Sequence, residues 1–239
     1  MAESGVSVVT VTFNNATGLR ETLVSLAALR QPPREVVIVD GGSTDGSDAV
    51  AREFAARLSL SYVSEPDEGI YDAMNKGLRR VRGSLVHYLN AGDCVVGEPY
   101  DGVASPVRLG VEIHDERGRL LMHDFVKLGG FGYCHQGVIF PAAHLPYRTE
   151  FRIAGDLDLI ARTFPAGLAA LPMATGGGVR FGLGGVSTKR VASRDREIRQ
   201  ILWENLPAGK AIRLIAILRA KALVPRAVRR WLFSRGSRA

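Results

Sequence analysis

Aspartates in three turn-forming contexts are the residues of this chain best suited to chemistry. Asp40 closes the apolar run Val36–Val39 and leads into Gly41-Gly42-Ser43-Thr44-Asp45. The glycines allow a ligand to approach the backbone closely, and the hydroxyls and Asp45 can bind it or cap a following helix. Asp93 ends a second corner, Asn90-Ala91-Gly92-Asp93, after the run Leu85–Leu89. A carboxylate there suits a hard cation such as Mg²⁺ or Mn²⁺, which takes oxygen ligands and often only one or two carboxylates. It equally suits an ordinary turn. Asp156 and Asp158 stand in Ala154-Gly155-Asp156-Leu157-Asp158. Two residues apart, they cannot share a helix face, so at most one points into a site. There it would be a general base toward a hydroxyl; otherwise the pair is simply an acidic first helical turn.

Two further segments carry polar groups. Glu65–Gly77 joins a strand to a helix whose N-terminus favours an anion, with Asn75 and Lys76 near enough to reach it. Cys134-His135-Gln136 precedes an apolar run, and a buried, hydrogen-bonded histidine is its simplest reading. The chain has no zinc-type Cys/His spacing, no GxSxG elbow, and neither GxGxxG nor GxxxxGK[ST].

The elements that must hold these corners alternate. Strands are predicted at Val6–Thr12, Val36–Val39, Leu60–Val63 and Leu85–Leu89. Between them, helical spacing of apolar residues predicts a helix through Leu19, Leu23 and Leu26, capped by Thr17, and others over Ser47–Leu58 and Tyr71–Val81. This rhythm implies βαβ units, a parallel sheet, and a ligand site outside the carboxyl ends of its strands. After Asp93 the pattern weakens. Short strands are predicted at Leu120–His123 and Gly137–Phe140, with helices over Asp156–Phe164, Arg194–Asn205 and Lys210–Leu223. The glycine-rich Thr175–Gly185 reads as a loop around the site.

A chain of 239 residues with 46% apolar and 23% charged residues fits one α/β domain, or one such domain plus a small appendage. The net charge of +7 is uneven: residues 205–239 hold nine basic and no acidic residues, which leaves residues 1–204 at −2. The expected division is therefore a domain over 1–204 and a basic extension over 205–239. That extension mixes Ile212, Ile215 and Ile217 with lysines and arginines and later carries Trp231 and Phe233. Such a segment suits an anionic membrane surface, here 206–239. Only two cysteines, no basic apolar leader and no membrane-length apolar run fit a cytoplasmic protein, peripheral at the inner face of the membrane.

Taken together, VSVVTVTFNN (Val6–Asn15), VIVDGGSTDG (Val37–Gly46), GIYDAMNKG (Gly69–Gly77), LNAGD (Leu89–Asp93) and AGDLDLIAR (Ala154–Arg162) resemble glycosyltransferase family 2. His135-Gln136 and Gly184-Gly185-Val186-Ser187 are most similar to bacterial members that build exopolysaccharides or glycolipids. The resemblance implies a GT-A fold: an α/β, Rossmann-like three-layer sandwich with a mostly parallel central sheet, here followed by a helical basic extension. It implies inverting transfer of a sugar from a nucleotide-diphosphate-sugar donor to a hydroxyl of a glycan or lipid-linked acceptor, assisted by Mn²⁺ or Mg²⁺. By position, Thr12 and Asp40 would contact the nucleoside, with Gly42, Asn75 and Asn90 also on the donor. Asp93 would be the metal ligand and Asp156 the catalytic base. Gly92 and Gly155 depart from the pattern, since each stands where the family usually has an acid. Competing readings are a nucleotidyltransferase, an inactive glycosyltransferase-like subunit, and a nucleic-acid binder using the tail; no recognisable nucleic-acid module supports the last.

Overall fold

A computed structural model describes residues 3–114, 120–123, 134–182 and 191–223. The first half is the expected alternation: β1 (Glu3–Thr12), α1 (Ala16–Ala27), β2 (Glu35–Asp40), α2 (Ser47–Phe54), β3 (Leu60–Ser64), α3 (Ile70–Leu78) and β4 (Gly83–Tyr88). The second half comprises β5 (Cys94–Gly97), β6 (Val107–His114), β7 (Leu120–His123), β8 (Val138–Pro141), α4 (Gly155–Thr163), β9 (Met173–Gly182), α5 (Val191–Asn205) and α6 (Ala208–Leu223).

The sheet runs in the order β3-β2-β1-β4-β8-β6-β9-β5, with β7 paired to β6. Strands β1–β4, β6 and β9 point one way, so most of the described strands are parallel in direction, while β5, β7 and β8 run against them. The chain moves outward from β1 to β3 and then returns to β4 on the other side of β1. That reversal opens a crevice at the carboxyl ends of β1 and β4. Val36, Val37, Ile38 and Val39 are all fully buried, as a strand covered on both faces requires.

Three local expectations are corrected. The cap of α1 is Asn15, not Thr17: its Oδ1 accepts the Gly18 N–H at 3.1 Å while its Nδ2 donates to the Ala91 carbonyl at 3.0 Å. Helices α2 and α3 stop at Phe54 and Leu78, short of Leu58 and Val81. Thr175–Gly182 is strand rather than loop, held between β6 and β5. Its glycines serve backbone packing: a Cβ at Gly178 would fall 2.4 Å from the Gly110 carbonyl oxygen, and one at Gly177 2.1 Å from that of Val96. Strand β6, missed in the sequence, alternates buried Val107, Leu109, Val111 and Ile113 with half-buried residues.

At the end of the sheet away from the crevice, buried Glu35 bolts three strands together. It accepts from the Ser7 hydroxyl (2.7 Å), the Arg82 N–H (2.5 Å) and Arg82 Nε (2.8 Å). The start of the expected extension is packed on the domain, because Ala211 and Leu214 of α6 join Ile201, Leu202 and Leu206 in the hydrophobic core. Residues 224–239, with Trp231 and Phe233, and the motif Gly184–Ser187 lie outside the described residues.

Candidate functional site

The ends of β1 and β2 form the first wall. Thr12 is buried, and its hydroxyl has no hydrogen-bond partner among the described residues. Asp40 comes to the expected edge, but its carboxylate is fully buried and closed by protein donors. Oδ1 accepts from the Ser43 N–H (2.9 Å) and hydroxyl (2.5 Å), while Oδ2 accepts from the Tyr62 hydroxyl and, at 3.5 Å, Ser64. In this arrangement Asp40 shapes the turn, and a ligand reaches it only if Tyr62 swings aside. Gly42 has φ of +91° with open space where a side chain would stand, so it leaves the turn's outer surface free. Phe13 is 64% exposed, an unusual state for a residue that follows a buried strand. It lies beside Gly41 and Asp67: a Cβ built on Gly41 would sit 3.2 Å from the Phe13 ring and 2.6 Å from Asp67 Oδ2. The sequence reading missed both. Phe13 stood in view as an aromatic immediately after a strand.

The second wall is the turn after β4, which α1 holds in place. The hydroxyl of buried Thr22 accepts the Gly92 N–H at 2.9 Å and lies 2.8 Å from the Asp93 carbonyl oxygen, to which it donates. Gly92 has φ of +103°, a conformation that strains an L-residue, so this turn has a backbone reason to lack the family's second acid. Asp93 Oδ2 accepts the Asn90 N–H (3.2 Å) and Gln136 Nε2 (3.0 Å). The buried Asn90 Oδ1 nearby has no hydrogen-bond partner among the described residues. Burial lifts the Asp93 carboxyl to about 7 against the pull of the Gln136 and Asn90 donors.

The unpartnered Asn90 Oδ1 and the Asp93 carboxylate test the fit of a divalent cation. They are hard donors, and one carboxylate plus one amide oxygen leaves room for phosphate and water ligands. The residues fit the group, although the described residues contain no cluster of three or more potential His, Cys, Asp or Glu ligands.

The third wall is the start of α4. Asp158 is fully buried and structural: it pairs with Arg148 and with Arg162 (2.7 Å) and accepts from Asn205 (3.2 Å). Asp156, half-buried, faces the other way. Burial raises its carboxyl to about 6, opposed by the Leu157 N–H and reinforced by Glu197. Gly155 has a steric cause, because a Cβ there would come within 2.7 Å of the Tyr71 ring, itself stacked on Tyr147 with 5.0 Å between centroids.

The segment before β8 links the second and third walls. Gln136 grips Asp93, and the Cys134 thiol donates to Gln136 Oε1. Burial pushes that thiol well up, and both Asp93 and Asp156 add to the effect; the His135–Gly137 turn packs against α4, which carries Asp156. His135 is buried and neutral, held near 3 by desolvation, with both ring nitrogens unpartnered among the described residues. Gln136 is thus a site residue whose role as a clamp was not legible from the sequence.

Asn75 and Lys76 do not serve as expected. The Asn75 amide is spent on the backbone of Tyr147, accepting its N–H (2.8 Å) and donating to its carbonyl (2.9 Å). Lys76 donates to the Pro66 carbonyl (2.6 Å) and pairs with Asp72 (3.3 Å). Both fix α3 rather than face a ligand. A cleft of about 450 Å³ beside Arg34 and Tyr100 opens at the opposite end of the sheet, away from these carboxylates.

The comparisons with known proteins agree with this fold. Among solved structures, Staphylococcus aureus TarS in complex with UDP-GlcNAc superposes with a TM-score of 0.64 at 17% identity, covering 88% of this chain and 70% of that one. The mannosyltransferase PcManGT of Pyrobaculum calidifontis, in complex with GDP-Man and Mn²⁺, gives 0.55 at 19%, covering 98% and 80%. An uncharacterised glycosyltransferase of Mycobacterium tuberculosis is 42% identical over 90 residues, a match spanning 37% of this chain and only 34% of the relative. A PGL/p-HBAD biosynthesis glycosyltransferase of Mycobacterium bovis is 28% identical over 186 residues, 69% of this chain and 71% of the relative. Residues 7–98, which span the first two walls, match the model of Glycosyl transferase family 2.

Proposed function

We propose that the protein transfers a sugar from a nucleotide-diphosphate-sugar donor to an acceptor hydroxyl with inversion at the anomeric carbon. One observation carries this reading: the His135–Gly137 turn joins the two acids at the carboxyl edge of the sheet, Gln136 donating to Asp93 and the turn packing against α4, whose second residue is Asp156. The nucleoside lies along β1 and β2, where exposed Phe13 offers a stacking face and the Thr12 hydroxyl an unused hydrogen bond. The diphosphate lies toward Asp93 and Asn90, which would hold the divalent cation. When bound, that cation offsets the negative charge growing on the leaving diphosphate. Asp156 accepts the acceptor's proton as the oxygen bonds to the anomeric carbon and the bond to the diphosphate oxygen breaks on the opposite face.

The acceptor we infer is a glycan or lipid-linked alcohol presented at an anionic membrane surface. Supporting this, α5 and α6 expose Trp203, Ile212 and Ile217, and residues 205–239 contain no acid. No helix among the described residues is long and apolar enough to cross a membrane, so docking would be peripheral.

The test is a panel of UDP- and GDP-sugars with Mn²⁺, read by thermal stabilisation and released nucleoside diphosphate, beside the matching nucleoside triphosphates. Wild-type turnover with a sugar donor and loss on Asp156→Asn by a factor on the order of 10²–10⁴, with donor binding retained, is expected. Consumption of a triphosphate instead would make the protein a nucleotidyltransferase.

A further inference from the structure

We infer that Glu197, on α5, is a positioning residue for Asp156. The inference rests on the reading of Asp156 as the base. The three residues before α4 present backbone N–H groups that no nearby side chain caps; the cap residue, Ala154, has no polar atom to offer. Glu197 takes all three from a distance in sequence: Oε1 accepts from Arg152 (3.0 Å), and Oε2 from Ile153 (2.9 Å) and Ala154 (2.8 Å). On the same turn, the Tyr71 hydroxyl donates to the Ile153 carbonyl at 3.1 Å, and the Arg152 guanidinium donates to the Glu68 carbonyl. The turn is therefore gripped by the α5 carboxylate and by Tyr71 of α3. Asp156 is the second residue of the helix that this turn launches, so its direction follows from the grip. Charge-assisted bonds to a carboxylate are stronger than neutral ones, which suits a clamp that must fix a base to a fraction of an ångström.

The clamp also acts electrostatically. The titratable groups facing Asp156 are Tyr71 from α3, Cys134 from the segment before β8, Tyr147 from the chain before α4, and Glu197 from α5. Of these, Glu197 raises the Asp156 carboxyl and so favours its protonated form. A carboxylate from α5 thus supports the base where Gly155, crowded by Tyr71, has no side chain.

The experiment uses the full chain with the sugar donor identified in the panel above. Glu197→Gln keeps the shape but loses the charge and part of the hydrogen bonding. Its kcat should fall roughly 10- to 100-fold with donor KM within about twofold, and the acid limb of its pH profile should move to lower pH. Glu197→Asp keeps the charge at shorter reach; its kcat should fall while the acid limb stays in place. Wild-type kcat and pH profile in folded Glu197→Gln overturn the proposal. So does a loss of activity fully explained by a smaller folded fraction, measured by thermal melting. If Glu197→Gln does not fold, Glu197→Asp decides, and wild-type kcat in that variant is the overturning result. Asp156→Asn run in parallel separates the two ideas. Retained turnover there defeats the base assignment itself, whereas lost turnover with an unaffected Glu197→Gln defeats only the clamp.

Discussion

Asp156 and Gln136 carry the clearest consequences at the scale of single residues. A base whose carboxyl is raised to about 6 is idle when protonated, so kcat should climb as pH rises through about 6 and level off above it. A pH–rate profile at saturating donor checks this, and Asp156→Asn should abolish the limb. Gln136 donates to Oδ2 of Asp93, the carboxylate proposed to hold the cation. Gln136→Leu should therefore weaken Mn²⁺ binding in the presence of nucleoside diphosphate by roughly 10- to 100-fold, as loss of an outer partner of a metal ligand typically does. Electron paramagnetic resonance titration of Mn²⁺ reads that loss without reference to turnover.

Elements impose their own constraints, and two are testable. The α3–α4 contact leaves no room at Gly155, so Gly155→Glu, which would restore the family's usual acid, should not improve catalysis. Its Cβ alone enters the Tyr71 ring, and overpacking of this kind costs about 1–3 kcal/mol, readable as a lowered midpoint in urea. The bolt at the far end of β1, β2 and β4 depends on ionised Glu35. Burial would raise that carboxyl, but the Arg82 N–H, the Ser7 hydroxyl and the Arg82 guanidinium outweigh it and hold it below the usual range. A folded-state pKa below the unfolded one contributes stability that is present above the unfolded value, near 4.3, and lost as pH falls through the folded value. Glu35→Gln should cost about 1.5–3 kcal/mol at pH 7 and flatten the acid side of the stability curve.

At the scale of the whole molecule, α5 and α6 tie the site to the basic end of the chain. Ala211 and Leu214 lie in the core, so removing everything after residue 205 would unfold more than a tail. The membrane hypothesis is better tested by ending the chain after Leu223 and by replacing exposed Ile212 and Ile217 with serine. Each change should reduce co-sedimentation with anionic liposomes, in a manner that fades at high salt, since each basic residue near such a surface contributes about 1 kcal/mol. Unchanged co-sedimentation in the doubly altered protein would remove the membrane from the proposed function.

By itself the sequence determined the alternating first half, the strand ends that carry Thr12, Asp40 and Asp93, and the choice of at most one of Asp156 and Asp158 for the site. These rest on local rules: apolar runs of strand length, helical spacing, and turn residues where strands stop. Only tertiary structure could decide that Asp158 is the buried partner of Arg148 and Arg162, or that Asn75 is consumed by the Tyr147 backbone. The same holds for Gln136, which donates to Asp93, and for Glu197, which holds the backbone just before the helix of Asp156. It also turned the glycines of β9 from loop into strand, because their purpose is the approach of neighbouring backbones. Such contacts join residues far apart in the chain, and side-chain partnership across that distance leaves no periodic trace in sequence.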